Sequence, residues 1–352
     1  MNKPQAKLIT NRSNISYLSG FTGSSGFMLL TKNKNYLFTD SRYIERAKNT
    51  IKKGIEIVDV TKVWRNPKEL EESWQKILRK HRIKVLGVEE DNLTVAKFKK
   101  FKKISKPKNG KIKFTDISGE IESKREIKTG IEIKLIQKSQ RINEKAFTEI
   151  KKIVQAARRN SNSISEVDLA WKIRELSHKY GAEDIAFEPI VAFGKNSAIP
   201  HHQPGEIHLK KDDVVLIDMG VKYKGYCSDM TRTLLPQKPS FRQKEIYTIV
   251  LNAQKEAIKK IHAGITGKKA DSYSRAIIEK AGYGDYYEHA GGHGIGLDIH
   301  ESPSLSVNYT KKLKKNSVIT VEPGIYIPGE FGVRIEDMIL LTAHGNKNLT
   351  FS

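Results

Sequence analysis

Two aspartates in the C-terminal half of the sequence are spaced as a β-hairpin would space opposed residues. Asp218 and Asp229 lie symmetrically about the junction of Tyr223 and Lys224, in otherwise apolar runs. If those two residues form the hairpin loop, the aspartates are directly opposite each other on one face. A three-residue loop that includes Gly225 is the alternative and shifts the register by one. A lone pair of this kind is more often a solvent-facing turn than a metal site.

A second acidic pair follows the same construction. Glu322 and Glu336 are symmetrical about a three-residue loop at 328–330. Pro323 and Gly324 are expected to distort the first strand, so the predicted register is approximate. Two opposed acid pairs in apolar strands indicate a cation site, because buried like charges stay ionised only when a positive group joins them.

The stretch HAGGHGIGLDIHE, residues 289 to 301, supplies imidazoles near these acids. It holds three histidines and four glycines, which is too many breakers for a helix. One of its histidines would complete a set of four carboxylates and one imidazole, which can hold two divalent ions. The oxygen-rich set favours Mn²⁺, with Co²⁺, Zn²⁺ or Fe²⁺ as alternatives. Cys227 is predicted to pack in the core, because it alternates off the face of Asp229.

Two domains are predicted to carry these residues, since 352 residues exceed the usual size of one. The first is an α/β domain at 1–122, the charged segment 123–130 is a linker, and the second is an α+β domain at 131–352. The second domain is expected to contain one long helix at about 243–263, between its strand-like runs. Ser165 is predicted to cap a helix together with Asp168.

The net charge of +23 is typical of proteins that bind nucleic acid. The densest basic stretch, Val95 to Lys106, places Phe98, Phe101 and Ile104 three residues apart. It is therefore predicted to be a surface helix with a solvated lysine face rather than a phosphate-binding patch. No long apolar run or signal peptide is evident, and there is a single cysteine, so the expected location is the cytoplasm without membrane attachment.

In order and spacing, four segments resemble the signatures of the metallopeptidases with the pita-bread fold, which include aminopeptidase P, prolidase and methionine aminopeptidase. The segments are VVLIDMGVKYKGYCSDMTRT, HAGGHGIGLDIHE, ITVEPGIY and GVRIEDM. The resemblance covers essentially the whole chain. It implies a mixed-sheet N-terminal domain of the creatinase/prolidase type, apparently lacking its usual first helix, followed by the pita-bread catalytic domain.

By this resemblance two metal ions are bound by five residues, namely Asp218, Asp229, His293, Glu322 and Glu336. The resemblance also implies that His201 binds substrate and that His289 and His300 lie near the scissile and following peptide groups. Arg334 is similar to the arginine that supports the carboxylates. His202 has no implied role and is expected at the surface.

The N-terminal segments LSGFTGSSGFMLLT and LFTDSRYIERA resemble the aminopeptidase P type more than the others. The first expectation is therefore an Xaa-Pro aminopeptidase, a homodimer, that acts on proline-containing peptides through a metal-bridging hydroxide. In this mechanism Glu322 relays the proton, and His289 with His201 stabilises the oxyanion. One alternative is an Xaa-Pro dipeptidase (prolidase). The other is a non-catalytic pita-bread protein that binds nucleic acid or an acidic partner.

Overall fold

A computed structural model describes residues 3–61, 67–106, 111–160 and 164–351. The chain divides into two compact units, Met1–Lys124 and Arg125–Ser352. Each unit has its own buried clusters of apolar side chains, and each is described by itself.

The N-terminal unit is built on one six-stranded sheet with the order β4-β3-β2-β1-β5-β6. Strand β1 runs antiparallel to β2 and parallel to β5, so the sheet is mixed, as predicted. The strands are β1 (Ala6–Ile9), β2 (Phe27–Thr31), β3 (Asn35–Thr39), β4 (Ile55–Asp59), β5 (Val85–Val88) and β6 (Lys113–Asp116). The helices are α1 (Arg12–Ser19), α2 (Ser41–Thr50), α3 (Pro67–Lys80) and α4 (Val95–Ile104), and α5 (Glu122–Arg125) crosses the boundary.

Helix α4 contains the basic stretch. Phe101 and Ile104 are buried in the core of the unit, and Phe98 packs against the same cluster. Thr94 caps the helix by accepting from the backbone N–H of Lys97. The prediction of an amphipathic helix is confirmed, because the apolar spacing matches the face that is buried.

Four long helices lie in the described part of the second unit. Ser165 caps α7 in a complete capping box with Asp168, as the sequence predicts. The long helix predicted at about 243–263 is present as α8, but the prediction of a single helix between the strands missed α9. Gly267 and several polar residues weakened the apolar pattern of α9, whereas the cap Thr266 marks its start. The helices are α6 (Gly130–Asn160), α7 (Glu166–Lys179), α8 (Phe241–Lys260) and α9 (Gly267–Lys280).

The strands of the second unit form small, largely antiparallel sheets with the orders β11-β10-β7, β12-β9-β8, β14-β13-β15-β18-β19 and β16-β17. They are β7 (Asp184–Ile185), β8 (Ile190–Phe193), β9 (Val215–Met219), β10 (Val221–Tyr223), β11 (Tyr226–Cys227), β12 (Met230–Leu234), β13 (Gly292–Gly294), β14 (Glu301–Leu305), β15 (Val318–Val321), β16 (Gly324–Ile327), β17 (Phe331–Arg334), β18 (Asp337–Leu341) and β19 (Asn346–Asn348). The predicted fold class, an α/β unit followed by an α+β unit, is confirmed.

The segment predicted as a linker, 123–130, carries buried charges. Arg125 and Lys128 are 3% and 2% exposed, and both pair with Glu301. Glu126 is buried beside Lys314. The charges of this predicted linker are instead paired with residues 173 to 188 positions further along the chain. Among the described residues, no helix is long and apolar enough to cross a membrane.

Candidate metal centre

The hairpin that carries Asp218 and Asp229 turns one residue later than predicted. Tyr223 pairs with Tyr226, so the loop is Lys224 and Gly225, with φ angles of 49° and 79°. Such a turn needs positive φ at both positions, which suits Gly225 better than a bulky pair of Tyr and Lys. Asp218 therefore faces Thr231, and the predicted direct opposition of the aspartates is wrong. Asp229 lies two residues before Thr231 and keeps the same face, because a strand repeats every two residues.

The register predicted for the second acidic pair is confirmed. Strands β15 and β18 pair Val321 with Asp337, and β16 and β17 pair Gly324 with Arg334. Glu322 and Glu336 lie between these two ladders. Both ladders have the register that places Glu322 opposite Glu336. The loop at 328–330 has the predicted three residues, since Ile327 pairs with Phe331.

His293 in β13 joins the two acidic hairpins. Its Nε2 atom lies 3.5 Å from Oδ2 of Asp229 and 3.4 Å from Oε1 of Glu322. One ligand-type atom from each of Asp229, His293 and Glu336 lies within 4.8 Å of the others. The ring of His293 is oriented by a contact from Nδ1 to the carbonyl of Gly294 at 3.0 Å, which directs Nε2 toward the acids. The structure therefore brings four of the five predicted ligands together. The charge of the fifth, Asp218, raises the pKa of the other three carboxyl groups.

Three oxygens in this cluster suit a cation. Oδ1 of Asp218, Oδ1 of Asp229 and Oε1 of Glu336 are buried and accept no hydrogen bond from the described residues. Buried acceptors without a donor cost free energy, and a divalent ion satisfies several of them at once. Carboxylate oxygens with one imidazole are a donor set for Mn²⁺ and related ions. The residues present therefore fit a metal centre.

The electrostatics of the acids agree with that fit. Burial, and then the charges of Glu336 and Asp218, raise the pKa of Asp229 well above its usual value. Burial and the charge of Glu322 do the same to the pKa of Glu336. Burial raises the pKa of Glu322 to about 7. The buried carboxylates repel one another, and a bound cation would reverse the sign of this interaction.

Arg334 is hydrogen-bonded to the acidic cluster. Its Nη2 donates to Oδ2 of Asp218 at 2.7 Å, and its Nε donates to Oγ1 of Thr231 at 3.1 Å. Thr231 in turn donates to Oε2 of Glu336 at 2.7 Å. Arg334 is 3% exposed. The predicted arginine thus contacts one predicted ligand directly and a second through a threonine.

A chain of hydrogen bonds connects Arg334 with His289. Nη1 of Arg334 donates to the hydroxyl of Tyr326 at 2.8 Å, and that hydroxyl is 2.8 Å from Nε2 of His289. Nδ1 of His289 lies 2.8 Å from the carbonyl of Ala290, which can only accept. Burial, together with the charge of Arg334, lowers the pKa of His289 to about 4, so the ring is neutral near pH 7. A neutral ring that donates from Nδ1 accepts at Nε2, and Tyr326 is the donor.

This arrangement does not fit the role predicted for His289. Both of its ring nitrogens are engaged, so no N–H remains to stabilise an oxyanion. The physical reason is the partner Tyr326, which sequence analysis overlooked. His289 instead fixes the direction in which the Tyr326 hydroxyl donates.

The remaining histidines are placed differently from one another. His201 and His300 are exposed, and the ring of His300 meets His293 edge-on at 4.4 Å between centroids. Burial lowers the pKa of His289, and partial burial lowers the pKa of His300. The charge of His201 lowers both further, which indicates that the three histidines lie in one region. The expected surface position of His202 is wrong, because its Nε2 lies 2.8 Å from the fully buried carboxylate of Glu166.

Sequence analysis missed three hydroxyl groups of the centre. Thr231 is two residues after Asp229, Thr320 is two before Glu322, and Tyr326 is four after Glu322. Thr320 accepts from the backbone of His293 and donates to Glu322. The period of two along a strand puts all three on the faces of the predicted ligands, and this rule could have found them. Cys227 is fully buried, its pKa is raised to about 12 by burial, and it packs in the core as predicted.

Comparison with known proteins places this centre in a family. Residues 134–343 match the family model described as metallopeptidase family M24, and residues 2–127 match the creatinase/prolidase N-terminal domain. A Xaa-Pro dipeptidase of Pyrococcus horikoshii is 37% identical over 350 residues, which are 99% of this chain and 93% of that protein.

Solved structures agree over nearly the full length. A Xaa-Pro dipeptidase from Bacillus anthracis superimposes with a TM-score of 0.91 at 38% identity, covering 99% of this chain and 93% of that one. An X-Pro aminopeptidase from Thermotoga maritima superimposes with a TM-score of 0.88 at 36% identity, covering 99% and 96%.

Proposed function

This chain belongs to metallopeptidase family M24, and we propose that it hydrolyses Xaa-Pro bonds with dipeptides as its preferred substrates. Membership of the family makes it a metal-dependent hydrolase of the pita-bread fold, as the sequence predicts. The observation that carries the proposal is the convergence of Asp229, His293 and Glu336, together with buried carboxylate oxygens of Asp229 and Glu336 that have no hydrogen-bond partner among the described residues.

The choice of dipeptides departs from the first expectation, an aminopeptidase. The similar protein of P. horikoshii and the similar structure from B. anthracis are both named Xaa-Pro dipeptidases, which supports the alternative over the first expectation. The T. maritima structure is named an X-Pro aminopeptidase and keeps cleavage of longer peptides as the second candidate. A non-catalytic binding role has no support from the site, since no predicted ligand is missing from it.

We propose that the two ions are held by the five predicted ligands, with Mn²⁺ as the first choice. The support is the donor set and the mutual repulsion of the acids, which a bound cation relieves. When bound, the ions supply Lewis acidity that polarises a carbonyl and lowers the pKa of water. The ligands are Asp218, Asp229, His293, Glu322 and Glu336.

The other residues act on the peptide and on protons. Glu322 carries a proton at a carboxylate oxygen toward the proline nitrogen as that nitrogen leaves. His201 and His300 are exposed, so their rings are free to reach the peptide, and His201 is the candidate donor to the oxyanion. Arg334 holds Asp218 and, through Thr231, Glu336. His289 and Tyr326 complete that support.

The test is a comparison of initial rates on Xaa-Pro dipeptides and Xaa-Pro-Xaa tripeptides, after Mn²⁺ is added to metal-stripped protein. Cleavage confined to dipeptides is expected. Cleavage of tripeptides at the first bond would transfer the assignment to the aminopeptidase. Absence of turnover on both, with two ions bound per chain, would overturn the proposal. Asp229→Asn is the inactive control. We also propose a cytoplasmic location, which the single buried cysteine supports; the homodimer stays a prediction.

A further inference from the structure

Glu166 is a buried carboxylate far from the acidic cluster in sequence and outside the predicted site. It is the first residue of α7, directly after the cap Ser165, and is 0% exposed. Acidic side chains in the first turn of a helix are usually solvated, and burying one is unfavourable unless donors surround it. The donors around Glu166 therefore indicate what it does.

Four donors occupy the two oxygens of Glu166. Oε1 accepts from the backbone N–H of Phe193 at 2.8 Å and from Nδ2 of Asn196 at 2.9 Å. Oε2 accepts from Nε2 of His202 at 2.8 Å and from the backbone N–H of Gly205 at 3.2 Å. A carboxylate has about four acceptor positions, so this one is saturated.

The four donors flank His201 on both sides. Phe193 and Asn196 precede it, and His202 and Gly205 follow it. A turn from Ile199 to His202, closed by a backbone hydrogen bond of 3.2 Å, carries the histidine itself. One carboxylate thus ties together both ends of the loop that presents His201, without contacting His201.

The same loop is also attached to the metal-centre hairpin. The carbonyl of Pro200 accepts from Nη1 of Arg334 at 3.4 Å, and the Ser197 hydroxyl accepts from the backbone N–H of Gly332 at 2.9 Å. A Cβ on Gly332 would lie 2.1 Å from the carbonyl oxygen of Ser197, so the loop and β17 are in close contact. Glu166 therefore holds a loop that also touches the residue that holds Asp218.

We propose that Glu166, with His202, is the positioning residue for His201. The carboxylate holds residues 193–205 in the one arrangement that directs the His201 ring toward the peptide beside the metal centre. The substrate contact of His201 rests on the proposed function, whereas the fixing of the loop does not.

The first experiment is a double-mutant cycle with Glu166→Gln and His201→Ala in the full-length, Mn²⁺-loaded protein. The amide keeps the size of Glu166 but places an N–H against two of its donors. We expect kcat/KM on an Xaa-Pro dipeptide to fall about 10- to 100-fold in Glu166→Gln, the usual loss when a supporting hydrogen-bond partner is removed. In the His201→Ala background the same change should cost less than about 3-fold, because the group it positions is gone.

Glu175→Gln is the matched control, since Glu175 is in the same helix and its side chain is 62% exposed. It should leave kcat/KM unchanged. If Glu166→Gln does not fold, His202→Asn removes one donor only, and it should give a smaller loss that also disappears in the His201→Ala background. Equal losses with and without His201 would overturn the proposal.

Hydrogen exchange provides a readout independent of activity. In metal-free and in loaded Glu166→Gln protein, amides at 193–205 should exchange at least 10-fold faster, while those of β9 keep the wild-type rate. Faster exchange throughout the second unit would contradict the proposal that Glu166 positions His201. An unchanged exchange rate in the loop would contradict it as well. If wild-type protein cleaves neither peptide class but the loop exchanges as expected, the proposed function fails and the positioning of His201 stands.

Discussion

Arg334 and Asp218 form a buried ion pair at 2.7 Å, with side chains that are 4% and 12% exposed. They are 116 residues apart and lie on β17 and β9. Because removing one member of a buried pair leaves an uncompensated charge, Arg334→Met should lower the free energy of unfolding by about 3–5 kcal/mol. Urea unfolding of the metal-free protein measures this. Arg242→Met, in the half-exposed pair with Glu330, should lower the free energy of unfolding far less, and equal losses would contradict the prediction.

The effect of Asp229→Asn on the melting temperature should have opposite signs in metal-free and in metal-loaded protein. In protein treated with a chelator, the substitution removes one of several repelling charges and should raise the melting temperature. In Mn²⁺-loaded protein it removes a ligand, so the metal-induced stabilisation should shrink and the melting temperature should fall. Thermal unfolding under both conditions tests this, with the exposed Asp285→Asn as a control that changes neither. A lower melting temperature under both conditions would refute the reversal.

His289 should make the fold sensitive to acid. Its pKa is lowered from 6.5 to about 4, chiefly by burial, so the unfolded chain binds a proton that the folded chain does not. Its contribution is therefore fully present above pH 6.5 and is lost as the pH falls toward 4, which amounts to at most about 2 kcal/mol between pH 7 and pH 5. His289→Asn should reduce the loss of unfolding free energy between these pH values by that amount, as measured in urea. The exposed His178→Asn should leave the loss unchanged; if His289→Asn also leaves it unchanged, the prediction is wrong.

Glu301 should be essential to the stability of the second unit. It pairs with both Arg125 and Lys128, and burial lowers the pKa of that lysine. Glu301→Gln leaves two buried cations with a weaker partner and should cost about 3–5 kcal/mol, whereas Lys128→Met leaves the Arg125 pair intact and should cost less. Chemical denaturation of the two variants and of the double variant tests this. A double variant less destabilised than the sum of the single ones is expected, and strict additivity would argue against the cluster.

Local sequence patterns were enough to identify the acids and the histidine that the structure brings together, although not the three hydroxyl groups beside them. Period-two alternation fixes the face on which an acid lies, and the symmetry of Glu322 and Glu336 about a three-residue loop predicted their register correctly. Local signals also predicted the capping box at Ser165 and the amphipathic helix α4. Each of these depends on residues close together in the chain, where the geometry of a strand, a turn or a helix leaves little choice.

The partners of those residues depend on how distant segments pack, and the sequence did not predict them. The bond from Arg334 to Asp218, the commitment of His289 to Tyr326, the burial of Arg125 against Glu301 and the four donors around Glu166 all join separate segments of the chain. Alternation gives a side chain a face but not the neighbour opposite it, which depends on how separate elements pack. Arg125 and Lys128, predicted in a linker, pair with the distant Glu301. His202, expected at the surface, pairs with the buried Glu166.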